Sequence, residues 1–168
     1  MATDMQLTKA RLVYGDICRA LDEMGWSYDK SEDDFAVYTA VNGMQSAYVD
    51  LILAVDADNA LVTLLSRLPF DVKKDISHNF SIAVSAINWQ IPDGRFDFNR
   101  TKGTALYRIS ATYNGCILGD EAFKYLIRTA YTTVDRYSNK LAALNDESLS
   151  FDELIKWINN MQGDRNVN

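Results

Sequence analysis

The sequence predicts an α+β fold: an antiparallel β-sheet flanked by an N-terminal, a middle and a long C-terminal helix. Three observations predict it. Apolar spacing switches repeatedly between a helical period of about 3.6 residues and a strand period of 2. Turn dipeptides such as Asn42-Gly43 and Asn114-Gly115 stand where strands should reverse or end. The chain has 168 residues, the size of one domain, and a domain of that size buries roughly 70% of its unfolded surface.

In chain order, Leu7, Ala10, Tyr14, Ile17, Leu21 and Met24 form one helical stripe, and Gly25 follows as its stop. Trp26 and Tyr28 begin a short strand before a polar turn over 30–34. Phe35, Val37, Thr39 and Val41 then alternate. Asn42-Gly43 supplies the positive φ angles of a type I′ hairpin turn, and Ala47, Val49, Leu51, Leu53 and Val55 form the return strand. Asp56 to Asn59 makes a turn, Ala60 to Leu68 the next strand, and Pro69 ends it, completing an antiparallel meander.

Ile76, Phe80, Ala83 or Val84, and Ile87 return to helical spacing, with Asp71 or Asp75 as the anion at the helix start. Pro92-Asp93-Gly94 is a turn. Phe96 and Phe98 alternate on a strand that leads through 100–103 to a longer one. There Tyr107, Ile109, Ala111 and Tyr113 share one side, opposite Arg108, Ser110 and Thr112. From Asp120, the positions Phe123, Ile127, Ala130, Val134, Tyr137 and Leu141 define a helix of about 25 residues and about 37 Å, enough to cross a sheet. Ser150 caps a last helix bearing Phe151, Leu154, Ile155 and Ile158, with Asp152 and Glu153 in its first turn. The expected organisation is a single domain over 1–168: a core over 7–145, an additional helix over 150–162 and a polar tail over 163–168.

Several chemistries find no support. Cys18 and Cys116 are the two cysteines, far apart and outside any Cys-x-x-Cys spacing, as suits a reducing compartment. The first residues have no basic or long apolar stretch, and no apolar run is long enough for a membrane span. The expectation is a cytoplasmic protein without membrane contact. A formal net charge of −6 opposes binding to a phosphate backbone. His78 is the one histidine and sits off the helical stripe, without partners for a nucleophilic triad or a metal site. Asp56-Ala57-Asp58 opens like a calcium loop, but its sixth position is Leu61 instead of glycine and its twelfth Arg67 instead of glutamate. The eight glycines form no phosphate-binding motif. Arg95, Arg100, Lys102 and Arg108 gather on one hairpin with Phe96 and Phe98, which reads as a solvated face before it reads as a base-stacking surface. No catalytic residue, cofactor or metal ligand is expected.

The residues offered for contact with a protein are Trp157, Trp89 and Phe80. Trp157 lies off the stripe of the last helix, and aromatic residues at such edges are enriched at interfaces. Phe80, Trp89, Tyr107 and Tyr131 are also the candidate walls of a small-molecule pocket between sheet and long helix.

The order of elements resembles the YbjN family of bacterial proteins, which share the fold of type III secretion chaperones. Ile87-Asn88, Gly94-Arg95-Phe96-Asp97-Phe98 and Ala105 to Ile109 resemble the family's helix end and following strands. Asp120 onward, through Val134-Asp135-Arg136-Tyr137 to Leu141, resembles its closing helix, and Pro69 before the second helix also fits. Residues 151–162 have no counterpart in it. The resemblance implies a non-enzymatic protein, acting as chaperone or sensory-transduction regulator, that binds a protein partner or client and forms a homodimer. The alternative is a small-molecule-sensing domain or an unusual enzyme.

Overall fold

A computed structural model describes residues 2–46 and 48–163. Four helices and six strands run in the order α1 (Asp4–Glu23), β1 (Asp29–Ser31), β2 (Ala36–Asn42), β3 (Tyr48–Asp56), β4 (Leu61–Asp71), α2 (Ser77–Gln90), β5 (Arg95–Asn99), β6 (Thr104–Thr112), α3 (Asp120–Asn145) and α4 (Phe151–Gly163). The strands form one sheet in the order β1-β2-β3-β4-β6-β5, with every neighbouring pair antiparallel. This is the expected helix-flanked antiparallel α+β fold.

The period-2 pattern sorts the two sheet faces. Val49, Leu51, Leu53 and Val55 of β3, Val62, Leu64 and Leu68 of β4, and Ala105, Tyr107 and Ile109 of β6 are buried. On the opposite face Tyr38, Tyr48 and Ile52 stay exposed. α3, at 26 residues, is about 39 Å long and packs across β3, β4 and β6. Its buried stripe includes Phe123, Ile127, Ala130, Val134, Tyr137 and Leu141. α1 lies against α3 and β3, while α2 is held between β5 and α4.

Helix ends follow local chemistry. Thr3 and Gln6 close a capping box at α1, and Ser150 and Glu153 exchange the same reciprocal bonds at α4. Gly25, at φ +69°, takes the left-handed position just past α1. Leu7 falls outside the buried part of the α1 stripe and is exposed.

Several sequence expectations need correction. Asn42-Gly43 does not make a two-residue turn: the pairing of β2 with β3 runs only to Asn42↔Tyr48, so the connection is longer. The cause lies in α3, where Asp135 accepts the backbone N–H groups of Gln45 (3.0 Å) and Ser46 (2.8 Å) and the Ser46 hydroxyl (2.8 Å). Glycine suits position 43 because a Cβ there would collide with Asp135 Oδ1 and Ser46. Phe35 is a turn residue at φ +47° before β2, not its first strand position. The first strand begins at Asp29, after Trp26 and Tyr28.

Pro69 does not end its strand. β4 continues to Asp71 through a register shift after Arg67, because a bulge accommodates a residue with no N–H to donate. α2 has no acidic residue in its first turn; Asp71 closes β4, and Asp75 bonds the Ile76 N–H ahead of the helix. Ala47 and the tail over 164–168 lie outside the described residues.

Candidate functional site: the outer face of α2

α2 contains no Asp, Glu, Lys or Arg, in a chain that is 24% charged. Its inner positions Phe80, Ala83, Val84 and Ile87 are buried. The outer face presents His78, Ser81, Ile82, Ser85, Ala86 and Trp89, which with Asn88 and Arg100 line an open groove of about 820 Å³. Ile82 is 42% exposed and Trp89 83% exposed. They stand seven residues apart, two helical turns along one face.

The helix beneath this face is firmly seated. Phe80 packs against Phe98 at 4.9 Å and Phe70 at 6.3 Å between ring centroids. The Asn88 side chain pairs both ways with the Phe96 backbone: Oδ1 accepts its N–H at 2.8 Å and Nδ2 donates to its C=O at 2.9 Å. Arg100 Nε donates to Ser77 Oγ at 3.3 Å. An exposed tryptophan on a firmly seated helix that carries no charged side chain offers apolar area for contact.

The three residues singled out in the sequence separate in space. Trp89 faces solvent. Phe80 has no accessible surface, so as a contact residue it is withdrawn: it fixes the helix from below. Trp157 is half-buried, with its ring edge-on to Tyr137 at 5.7 Å and Lys140 Nζ 5.3 Å from its centroid. It joins α4 to α3. The stripe count placed it off the buried face because that count ignores a helix flanked on a second side.

The proposed pocket walls do not converge. Tyr107 is fully buried, its hydroxyl donates to the Asp93 carbonyl at 2.8 Å, and burial pushes that hydroxyl's pKa up to about 12. Tyr131 donates to the Asn42 carbonyl and meets Trp26 edge-on. A cavity between sheet and α3 does exist, but Ser66, Phe70, Val134 and Ser138 are among its walls, and it measures about 100 Å³.

Two of the four cations on the basic hairpin share one carboxylate. Asp97 pairs with Arg95 at 2.9 Å and with Arg108, and Phe96 turns inward against Tyr107 and Tyr137. His78 is exposed. Asp56 caps its own turn by accepting the Asn59 N–H and side-chain amide. Among the described residues, no group of three or more His, Cys, Asp or Glu could hold a metal ion, and no helix is long and apolar enough to cross a membrane.

This architecture recurs in solved structures. YbjN from E. coli, described as a candidate transcription regulator, superposes with a TM-score of 0.57 at 12% identity, covering 77% of this chain and 91% of its own. The fold is YbjN-like. The YbjN-like fold is also that of type III secretion chaperones. A chain of the ExsC–ExsE complex gives a TM-score of 0.55 at 14% identity, covering 77% of this chain and 92% of that one. A chain of the HopA1–SchA chaperone–effector complex gives 0.55 at 15%, covering 82% and 98%. No protein-family model and no curated protein matches the sequence significantly.

Proposed function

We propose that this protein is a non-enzymatic protein-binding module of chaperone-like or regulatory type, working as a homodimer in the cytoplasm. The observation that carries the reading is the charge-free outer face of α2, on which Trp89 and Ile82 stand exposed over a groove of about 820 Å³. Apolar groups held out on a rigid helix have a favourable free energy of burial against a second surface. A self-complementary helix face is the simplest basis for a two-fold dimer, since each copy supplies the groove for the other's tryptophan. The YbjN-like fold supports protein binding, because two structures that share it are complexes named for two proteins, one of them a chaperone–effector complex. Both cysteines are unpaired, in keeping with a reducing compartment.

Two measurements test this. Light scattering at micromolar concentration should give about 38 kDa, twice the 19.0 kDa chain; a mass of one chain would refute the dimer. Affinity capture from the native lysate with crosslinking and mass spectrometry should return a specific polypeptide, and repeated failure would sink the partner-binding reading.

A further inference from the structure

β3 and β4 pair only over Ile52–Asp56 and Leu61–Leu65, yet β3 begins at Tyr48 and β4 runs on to Asp71. Over the unpaired stretch, β3 stays bonded to β2 as far as Asn42↔Tyr48. β4 stays with β6 as far as Arg67↔Leu106 and meets it again at Asp71↔Thr104. The two central strands therefore part like the tines of a fork, each held by its outer neighbour. Further along the gap Pro69 has no N–H to give, and a register shift between Arg67 and Asp71 lies beside it.

Alternate residues of an antiparallel strand aim their N–H and C=O groups at alternate neighbours. Part of the backbone of 48–51 and of 66–70 therefore faces the gap. Its outer part, between Tyr48, Asp50, Arg67 and Phe70, holds about 460 Å³. Its inner part, about 100 Å³, reaches α3 at Val134, Ser138 and Ala142. Ser138 is 6% exposed and its hydroxyl has no hydrogen-bond partner, a state that costs about 1–3 kcal/mol for a buried polar group and so calls for a physical reason. Ser66, 2% exposed, lines the same chamber. At the rim Arg67 is already paired with Asp71 at 2.9 Å, which leaves the charge of Asp50 uncompensated by it.

We infer that the fork between β3 and β4 is a docking slot for an extended polypeptide segment with a basic residue and a Ser or Thr. The segment's backbone bonds to the free edges of the tines, its hydroxyl side chain enters the inner chamber beside Ser138, and its cation meets Asp50. The inference rests on the protein-binding reading above and supplies the place and the chemistry of the contact. Main-chain pairing gives affinity in such strand addition, and the side-chain chamber gives selectivity.

The test selects binders from a displayed library of random linear peptides on the full chain, then follows amide hydrogen exchange with and without a selected peptide. The slot predicts peptides with Ser or Thr near Lys or Arg, and slowed exchange confined to 48–51 and 66–70. Ser138→Leu fills the chamber and should weaken binding by about tenfold or more, about 1.4 kcal/mol. Asp50→Lys changes only the exposed rim, tests the slot even if the first variant does not fold, and should weaken the same peptides. Protection at the β1 or β5 edge or along α2, or unchanged affinity in the folded variants, would overturn the slot while leaving protein binding intact. Failure to select any peptide would also overturn it, and the capture experiment would then judge the broader reading alone.

Discussion

Asp135 lies 90 residues from Gln45 in sequence, yet it shapes the β2–β3 connection more than the loop's own residues do. Burial pushes its carboxyl pKa up, and hydrogen bonds from Ser46, Gln45 and Met44 outweigh that and hold it below the ordinary carboxylate range. Because the folded value is depressed, the stabilisation is complete above the unfolded value near 3.9 and is lost as pH falls through the folded one. Asp135→Asn should lower stability at neutral pH by roughly 2–4 kcal/mol, read from urea unfolding, and should flatten the acid limb of the stability profile. A second residue-scale test concerns Gly94. It sits at φ +70°, and a Cβ there would strike the Tyr107 hydroxyl and lie 2.9 Å from the Arg108 carbonyl. Gly25 has a similar φ of +69° with nothing within 4 Å. Gly25→Ala should therefore cost only the backbone strain, about 1–2 kcal/mol, and Gly94→Ala clearly more, seen as a larger drop in thermal midpoint.

At the scale of elements, helices were legible wherever one face alone is buried. The long helix anticipated from Asp120 is α3, and Ser150 does cap α4. The connections were less legible, because distant groups decide them. Asn42-Gly43 carries the local signature of a tight turn, and only the fold brings Asp135 to the loop. Pro69 reads as a strand end, but β6 offers β4 a partner on the other side of the bulge. Of the candidate contact residues, the sequence does not tell the exposed Trp89 from the buried Phe80 or the half-buried Trp157, because what covers the last two, the Phe70–Phe98 pair and Tyr137, is not adjacent in sequence. α4 itself is bound into the molecule: Leu154 and Ile158 have no accessible surface and share a core cluster with α2 and α3. Ile158→Ala should cost about 2–5 kcal/mol, and differential calorimetry should show one transition moving down. If α4 melted separately at lower temperature, it would be an appendage and not part of the core.

For the whole molecule, the sequence pI is about 4.7 and the net charge −6, so two copies repel at long range. A dimer formed through α2 must then draw on short-range apolar contact, and raising salt should strengthen it by screening that repulsion. Trp89→Glu should shift the scattering mass to one chain with no loss of helical circular dichroism, because the side chain is 83% exposed and supports no core contact. A dimer that persists in Trp89→Glu would move the interface elsewhere.

The bidentate grip of Asn88 on Phe96 has a further consequence. Phe96 lies on β5, the last strand at one end of the sheet order, and both of its main-chain groups are taken by the amide. At the other end β1 is only three residues long. Unsatisfied strand rims are templates on which chains stack into fibres and aggregates. Here a borrowed side chain occupies Phe96 on one rim, and the strand at the other rim is short. A concentrated solution of the protein should stay clear where an Asn88→Ala variant slowly turns thioflavin-positive.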